Sequence, residues 1–157
     1  MRLFRITHQA HLERYDGLGA SYQDGGRWNS AGVPALYFAC SAAVSLLEMA
    51  NYTSSPRMMP PSLRLAVYEL PDSAPVRRLE VSEWPDDWDR YPFNPATQHL
   101  GDAWLNSTDA LGLVLPSAAV PSGLDDIMLV NPQHPGIAEI RLIQIVERLF
   151  NPRAFAD

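Results

Sequence analysis

Hydrophobic and polar residues follow one another in short runs that predict a chain built mainly of strands. Leu63, Leu65 and Val67 recur at every second position, the period that marks a strand with one buried face. Other short apolar runs, bounded by Pro, Gly, Ser or Asn, predict six further strands; these are residues 2–6, 34–39, 76–81, 111–115, 127–130 and 140–146. The strand at 76–81 is expected to pair with the one at 63–68.

Two segments have the pattern of a helix. Ser41 is a suitable N-cap for a helix that runs to about Asn51. A second helix is predicted over 97–105, entered after Pro95, although Gly101 in its interior is unfavourable for helix formation. Because strands outnumber helices and do not alternate regularly with them, the pattern predicts an α+β fold rather than a doubly wound one.

Length, charge and cysteine content narrow the function classes. A chain of 157 residues is expected to form one domain, spanning residues 1–157. Its 12 basic and 18 acidic residues give a net charge of −6, so direct binding of nucleic acid is not expected. One cysteine rules out an internal disulfide. With no leader pattern and no apolar stretch of about 20 residues, the chain is expected to be cytoplasmic and not inserted in a membrane.

Several common binding and catalytic motifs are missing. Gly17 and Gly19 are not followed by the third glycine of a dinucleotide fingerprint, and no phosphate-loop motif occurs. The four histidines and Cys40 have no familiar metal-ligand spacing, so no metal is predicted. Ser117 lies in Pro-Ser-Ala and not in G-x-S-x-G, which argues against a serine hydrolase.

Three residues in the first third of the chain are candidates for chemistry. Arg27 directly follows two glycines that let a ligand approach, so it either clamps a phosphate or lies in solvent at a hairpin turn. Tyr37 lies in a predicted strand, where a tyrosine usually has its ring in the core and its hydroxyl in contact with solvent. Glu48 borders the apolar stripe of the first helix and either faces a cavity or extends into solvent. Taken singly, these residues leave both interpretations open.

The order of several motifs resembles the RES-domain family. The string GGRWNSAGVPALYFACSAAVSLLE, residues 25–48, is similar to the start of that domain. The N-terminal Phe4-Arg5 pair, the later LPSA segment at 115–118 and the NPQHP segment at 131–135 are also similar to landmarks of the family, in the expected order. The resemblance extends from residue 3 to about residue 155.

This resemblance implies a fold and an activity. It implies a single domain with a mixed β-sheet core similar to ADP-ribosyltransferases, and NAD⁺ as substrate without a metal. It also implies the toxin of a bacterial type II toxin–antitoxin system, which degrades NAD⁺ by cleaving the nicotinamide–ribose bond as a glycohydrolase or phosphorylase. The alternative is a mono-ADP-ribosyltransferase toxin that modifies a host cell protein.

Matching motifs residue by residue assigns the site. Arg27, Tyr37 and Glu48 match the family's catalytic arginine, tyrosine and glutamate, with Arg27 on a phosphate, Tyr37 on the nicotinamide and Glu48 at the ribose. Ser117 matches the family's serine; it binds the nicotinamide amide, holds Glu48, or only begins a turn. Arg5 either binds a second phosphate or forms a structural ion pair.

The resemblance also implies a protein partner. Because loss of NAD⁺ would harm the host cell, it implies an Xre-type helix-turn-helix antitoxin in a hetero-oligomer with this chain. The antitoxin would bind DNA, which agrees with the net charge of −6 on the present chain. The rival interpretation is a non-catalytic partner that regulates DNA only through the antitoxin.

Overall fold

A seven-stranded mixed sheet lies at the centre of the structure, a computed structural model that describes residues 1–53, 58–107 and 109–151. The strands are β1 (Arg2–His8), β2 (Leu36–Ala39), β3 (Leu63–Glu69), β4 (Val76–Arg78), β5 (Gly112–Pro116), β6 (Asp126–Val130) and β7 (Arg141–Val146). Their order is β4-β5-β6-β2-β1-β3-β7. β4 and β5 are parallel, while the other neighbouring pairs are antiparallel. The last part of the predicted domain, 152–157, lies outside the described residues.

In the described part of the chain, three α-helices accompany the sheet, α1 (Ala20–Asp24), α2 (Ala42–Ala50) and α3 (Pro95–Ser107). The predicted cap of α2 is present, since Ser41 Oγ accepts a hydrogen bond from the backbone N–H of Val44 at 3.1 Å. The α+β prediction is confirmed, and α1 is a helix that the sequence pattern did not indicate. Within the described ranges, no helix is both long and apolar enough to cross a membrane.

One predicted strand pairing is wrong. The strand expected at 76–81 is only Val76–Arg78, and it pairs in parallel with β5 instead of with β3. Both edges of β3 are already taken, because β1 pairs with it along all seven residues and β7 pairs with its other side. β4 instead lies at the far edge of the sheet, next to β5.

The two faces of the sheet bury two separate hydrophobic clusters. Leu3 and Phe38 belong to one cluster, on what we call the Phe38 face. The other cluster includes Trp28, Val44 of α2 and Trp104 of α3, with Tyr37 packed against it, and we call this side the Tyr37 face. Since side chains alternate along a strand, neighbouring residues of β1 or β2 lie on opposite faces. The helices α2 and α3 and the segment that contains Trp28 thus cover the Tyr37 face.

Candidate active site

A tight turn leads from α1 to Arg27. Gly25 ends the helix with a φ of +79°, a left-handed conformation that glycine adopts without strain. The N–H of Gly26 then donates to the carbonyl of Asn29 at 2.8 Å, which closes the turn. A Cβ atom on Gly26 would lie 2.8 Å from the Tyr37 hydroxyl. Both glycines are therefore needed for this turn to lie against Tyr37.

The guanidinium of Arg27 is fixed by the segment 88–93. Its Nη1 donates to the carbonyls of Trp88 at 2.6 Å and Arg90 at 2.7 Å. Its Cζ lies 5.1 Å from the centre of the Phe93 ring, within cation–π range. Burial lowers the pKa of Arg27, and the charge of Glu48 is the largest effect that raises it. Carbonyls orient the guanidinium without adding a formal negative charge.

The Tyr37 hydroxyl is part of the same turn. It donates to Asn29 Oδ1 at 2.7 Å and accepts from the backbone N–H of Trp28 at 3.0 Å. Asn29 is fully buried, and its Nδ2 donates to the carbonyls of Ser21 at 2.8 Å and Val33 at 3.0 Å. Burial raises the pKa of Tyr37 far above its ordinary value. The hydroxyl thus braces the turn, and the half-buried ring is the part that remains for a ligand.

Tyr37→Phe is expected to lower the free energy of unfolding by about 2 kcal/mol. The change leaves the Asn29 amide oxygen and the Trp28 N–H without their partner, and each unpaired buried group is unfavourable by about 1–3 kcal/mol. Chemical denaturation monitored by circular dichroism measures the difference. Tyr91→Phe, at a tyrosine that is 83% exposed, is the matched control with no expected change. An unchanged midpoint for Tyr37→Phe would show that its hydroxyl does not brace the turn.

Glu48 lies in the last turn of α2 and is held by Ser117. Its Oε1 accepts a hydrogen bond from Ser117 Oγ at 2.7 Å. Ser117 directly follows β5, is fully buried, and its Oγ also accepts from the N–H of Ala119 at 3.2 Å. Its own N–H donates to the carbonyl of Asp125 at 2.9 Å. A rigid serine therefore orients the carboxylate from a distant part of the chain.

Arg27, Tyr37 and Glu48 come together because consecutive elements place them on one side. Tyr37 lies in β2, which leads directly into α2, the helix that carries Glu48. Tyr37 and Val44 of α2 both pack on the Tyr37 face. The Tyr37 hydroxyl accepts a hydrogen bond from the N–H of Trp28, the residue after Arg27, and the negative charge of Glu48 raises the pKa of Arg27. With Ser117, which donates a hydrogen bond to Glu48, these residues supply a cation, an anion and an aromatic ring to the candidate site. Among the described residues, no group of three or more His, Cys, Asp or Glu lies close enough together to hold a metal ion.

Arg5 lies elsewhere. It shares the Phe38 face with Leu3, and its Cζ lies 5.9 Å from the centre of the Phe38 ring. Burial lowers its pKa, and within the part of the chain that the structure describes its Nη1 has no hydrogen-bond partner. The sheet separates Arg5 from Arg27, so the structure does not bring the two arginines to one ligand.

The Asn-Pro…His-Pro segment after β6 is a braced turn. Asn131 is buried, and its Nδ2 donates to the carbonyl of Leu105 at 2.7 Å while its Oδ1 accepts from the N–H of Gln133 at 2.9 Å. His134 Nδ1 accepts from the N–H of Gly136 at 3.0 Å. These contacts fix the backbone between β6 and the following 3₁₀ helix.

A comparison with known protein families identifies the family of this chain. The model of the RES domain matches residues 2–151. This chain belongs to the RES-domain family. The resemblance predicted from the sequence is thereby confirmed.

Similar proteins cover nearly the whole chain. It is 32% identical over 155 residues to Toxin Res of Yersinia enterocolitica, covering 98% of this chain and 99% of that one. It is 34% identical to Toxin Res of Pseudomonas putida, covering 99% and 100%. It is 32% identical to the Prs ADP-ribosylating toxin of a Sphingobium species, covering 96% and 94%.

A solved structure has the same fold. The crystal structure of the M. tuberculosis MbcT–MbcA toxin–antitoxin complex contains a chain that matches with a TM-score of 0.64 at 22% identity. The match covers 92% of this chain and 82% of that one. This RES-domain protein therefore shares its α+β architecture with a chain of that complex.

Proposed function

We propose that this RES-domain protein is the toxin of a bacterial toxin–antitoxin pair and degrades NAD⁺ by cleaving the bond between nicotinamide and ribose. The observation that carries the proposal is the carboxylate of Glu48, which buried Ser117 holds and whose charge acts on the oriented guanidinium of Arg27. Three relatives named Toxin Res and one named an ADP-ribosylating toxin support the role as a toxin.

Arg27 is the residue proposed to bind the diphosphate. Its Nη1 donates to two backbone carbonyls, and we assign the contact with the diphosphate to Nη2 and Nε. Two parallel N–H groups match the spacing of two phosphate oxygens, and the hydrogen bonds are charge-assisted. Because its guanidinium is already oriented, little further ordering is needed when the anion binds.

Arg27→Lys is expected to raise the KM for NAD⁺ by about 10- to 100-fold. An ammonium group lacks the planar fork, so the lost charge-assisted hydrogen bonds weaken binding in both ground and transition states. Steady-state kinetics of nicotinamide release measures the change. Arg141→Lys on the exposed edge strand β7 is the matched control and should leave KM unchanged. An unaltered KM in Arg27→Lys would remove Arg27 from the diphosphate.

Glu48 is proposed to stabilise the transition state. As the bond between C1′ and the pyridinium nitrogen breaks, its electron pair goes to that nitrogen and neutral nicotinamide leaves. Positive charge then develops on the ribose, next to a carboxylate that Ser117 has already oriented. Because the leaving group is already cationic, it needs no proton, so one carboxylate suffices where a glycosidase uses two. An O–H acceptor then adds to C1′ and gives its proton to solvent.

The acceptor separates two candidate activities. Water or phosphate would make this protein a glycohydrolase or a phosphorylase, whereas a protein side chain would make it a mono-ADP-ribosyltransferase. The name of the Sphingobium relative, an ADP-ribosylating toxin, favours the second candidate. The same site residues serve both reactions.

Product analysis tests the proposal. Purified protein is incubated with NAD⁺ in phosphate-free buffer, in phosphate buffer and in bacterial lysate, and the products are separated by chromatography and mass spectrometry. Free ADP-ribose or its 1″-phosphate supports degradation of NAD⁺, while ADP-ribosylated proteins support the transferase. Intact NAD⁺ in all three arms would reject both activities.

An Xre-type antitoxin is the proposed partner, in a hetero-oligomer. The solved structure with the same fold is a toxin–antitoxin complex, which supports a partner of this kind. The net charge of −6 on this chain agrees with leaving DNA binding to the antitoxin. Expressed without it, the protein is expected to arrest bacterial growth, and co-expression of the neighbouring antitoxin gene should restore growth.

A further inference from the structure

A row of three side chains leads from the site to the surface, and the proposed chemistry uses only the innermost one. Arg27 lies over the ring of Phe93, with 5.1 Å between its Cζ and the ring centre. Phe93 in turn contacts Tyr91, with ring centres 5.5 Å apart and planes at 88°. Tyr91 itself is 83% exposed. A contact between ring edge and ring face leaves an aromatic face of this tyrosine open to solvent.

Tyr91 belongs to the neighbourhood of the site. The same segment that carries it also holds the Arg27 guanidinium, through the carbonyls of Trp88 and Arg90. Tyr52, just beyond α2, lies close enough to Glu48, Arg27 and Tyr91 for all three to act on its hydroxyl. Tyr91 is therefore linked to Arg27 through Phe93 and lies near Tyr52.

The chemistry of the substrate calls for a second aromatic contact. NAD⁺ carries two flat bases on either side of its diphosphate, and Tyr37 with Glu48 accounts for the nicotinamide half. With the diphosphate on Arg27, the adenine is the base on the other side of that diphosphate from the nicotinamide. Phe93 and Tyr91 lie next to Arg27 in that row. An exposed aromatic ring binds a base by stacking, which is worth about 1–3 kcal/mol per base.

We propose that Tyr91 is the adenine-binding residue of this site, stacking on the purine of the bound dinucleotide. The inference rests on the proposed function and adds a specificity determinant to it. Tyr91 contributes to binding and not to the bond-breaking step, because the adenine is remote from C1′. The aromatic ring of Tyr91 makes the proposed contact, and its hydroxyl takes no part in it.

Kinetics and binding with Tyr91 variants test this inference. In Tyr91→Ala, both the KM for NAD⁺ and the Kd for AMP are expected to rise on the order of tenfold, with kcat unchanged. Tyr91→Phe keeps the ring and should match wild type in both. Leu124→Ala, at a side chain that is also 83% exposed, is the matched control and should change neither.

The outcomes separate the inference from the proposed function. Unchanged KM and Kd in Tyr91→Ala would overturn the adenine role, as would a fall in kcat with the Kd for AMP unchanged. Equal loss in Tyr91→Phe would also overturn it, because the hydroxyl would then be the binding group. If AMP binds wild type in a Tyr91-dependent way but no nicotinamide is released from NAD⁺, the adenine site stands and the proposed reaction fails.

Discussion

Glu48→Gln is expected to lower kcat for nicotinamide release about 10²–10³-fold, with little change in KM for NAD⁺. The amide keeps the size of the side chain, and its oxygen still accepts the hydrogen bond from Ser117, so the fold is retained. What is lost is the negative charge that faces the developing charge on the ribose, and removal of one such electrostatic group typically has an effect of this size. Steady-state rates of nicotinamide release, followed by chromatography, measure it.

Two further variants give this prediction its controls. Glu13→Gln changes an exposed carboxylate outside the site and should keep wild-type kcat. Ser117→Ala keeps the charge of Glu48 but removes the group that orients it, so its kcat should fall between wild type and Glu48→Gln. A kcat for Glu48→Gln close to wild type would show that the carboxylate does not act on the reacting bond.

Gly101→Ala is expected to lower the free energy of unfolding by about 3 kcal/mol, the upper end of ordinary overpacking. A Cβ atom at this position in α3 would lie 1.8 Å from the carbonyl oxygen of Trp28. The helix cannot easily move away, because Gln98 Nε2 donates to the carbonyl of Gly26 at 2.9 Å. Asp102 Oδ1 also accepts from the N–H of Ser30 at 2.9 Å.

Because the displaced turn carries Arg27, the KM for NAD⁺ should rise together with the loss of stability. Urea denaturation and steady-state kinetics on the same preparations measure both effects. Gly19→Ala is the matched control, since a Cβ there meets nothing within 4 Å. Wild-type stability and KM in Gly101→Ala would show that α3 does not support the arginine turn.

The elements that follow from local pattern are those the sequence predicts well. The alternation at 63–67 and the cap at Ser41 are properties of neighbouring residues, and they locate β3 and α2. The expected single buried face of β3 is wrong, because its residues from Leu65 to Tyr68 are all buried. The parallel pairing of β4 with β5 depends on which strand edges are already occupied, and the residues of β4 alone do not indicate this. The need for glycine at position 101 is not local either, because a Cβ there would collide with the carbonyl oxygen of Trp28, 73 positions earlier in the chain.

Motif matching names the site residues but not their geometry. It points to Arg27, Tyr37 and Glu48, yet the hydroxyl of Tyr37 is turned to Asn29 and the Trp28 N–H. It also groups Arg5 with them, although the alternation of β1 puts Arg5 on the Phe38 face. Which face of a strand borders a site is settled only by the packing of distant elements.

The contacts of segment 88–93 are the part of the site that sequence reasoning missed. Two of them are backbone carbonyls on Arg27, which any residue type could supply. The one available signal was the run of aromatic residues, Trp88, Tyr91 and Phe93, in a loop rich in Asp and Pro.

We propose that this RES-domain protein consumes NAD⁺ with Arg27 and Glu48, and a balance of substrate and product tests this. The purified, antitoxin-free chain is mixed with an excess of NAD⁺, and the nicotinamide formed is quantified against the NAD⁺ lost. We expect equal amounts over many turnovers for the wild-type protein and a rate reduced at least a hundredfold in Glu48→Gln. Undiminished NAD⁺ after prolonged incubation with the folded wild-type protein would show that it does not consume NAD⁺.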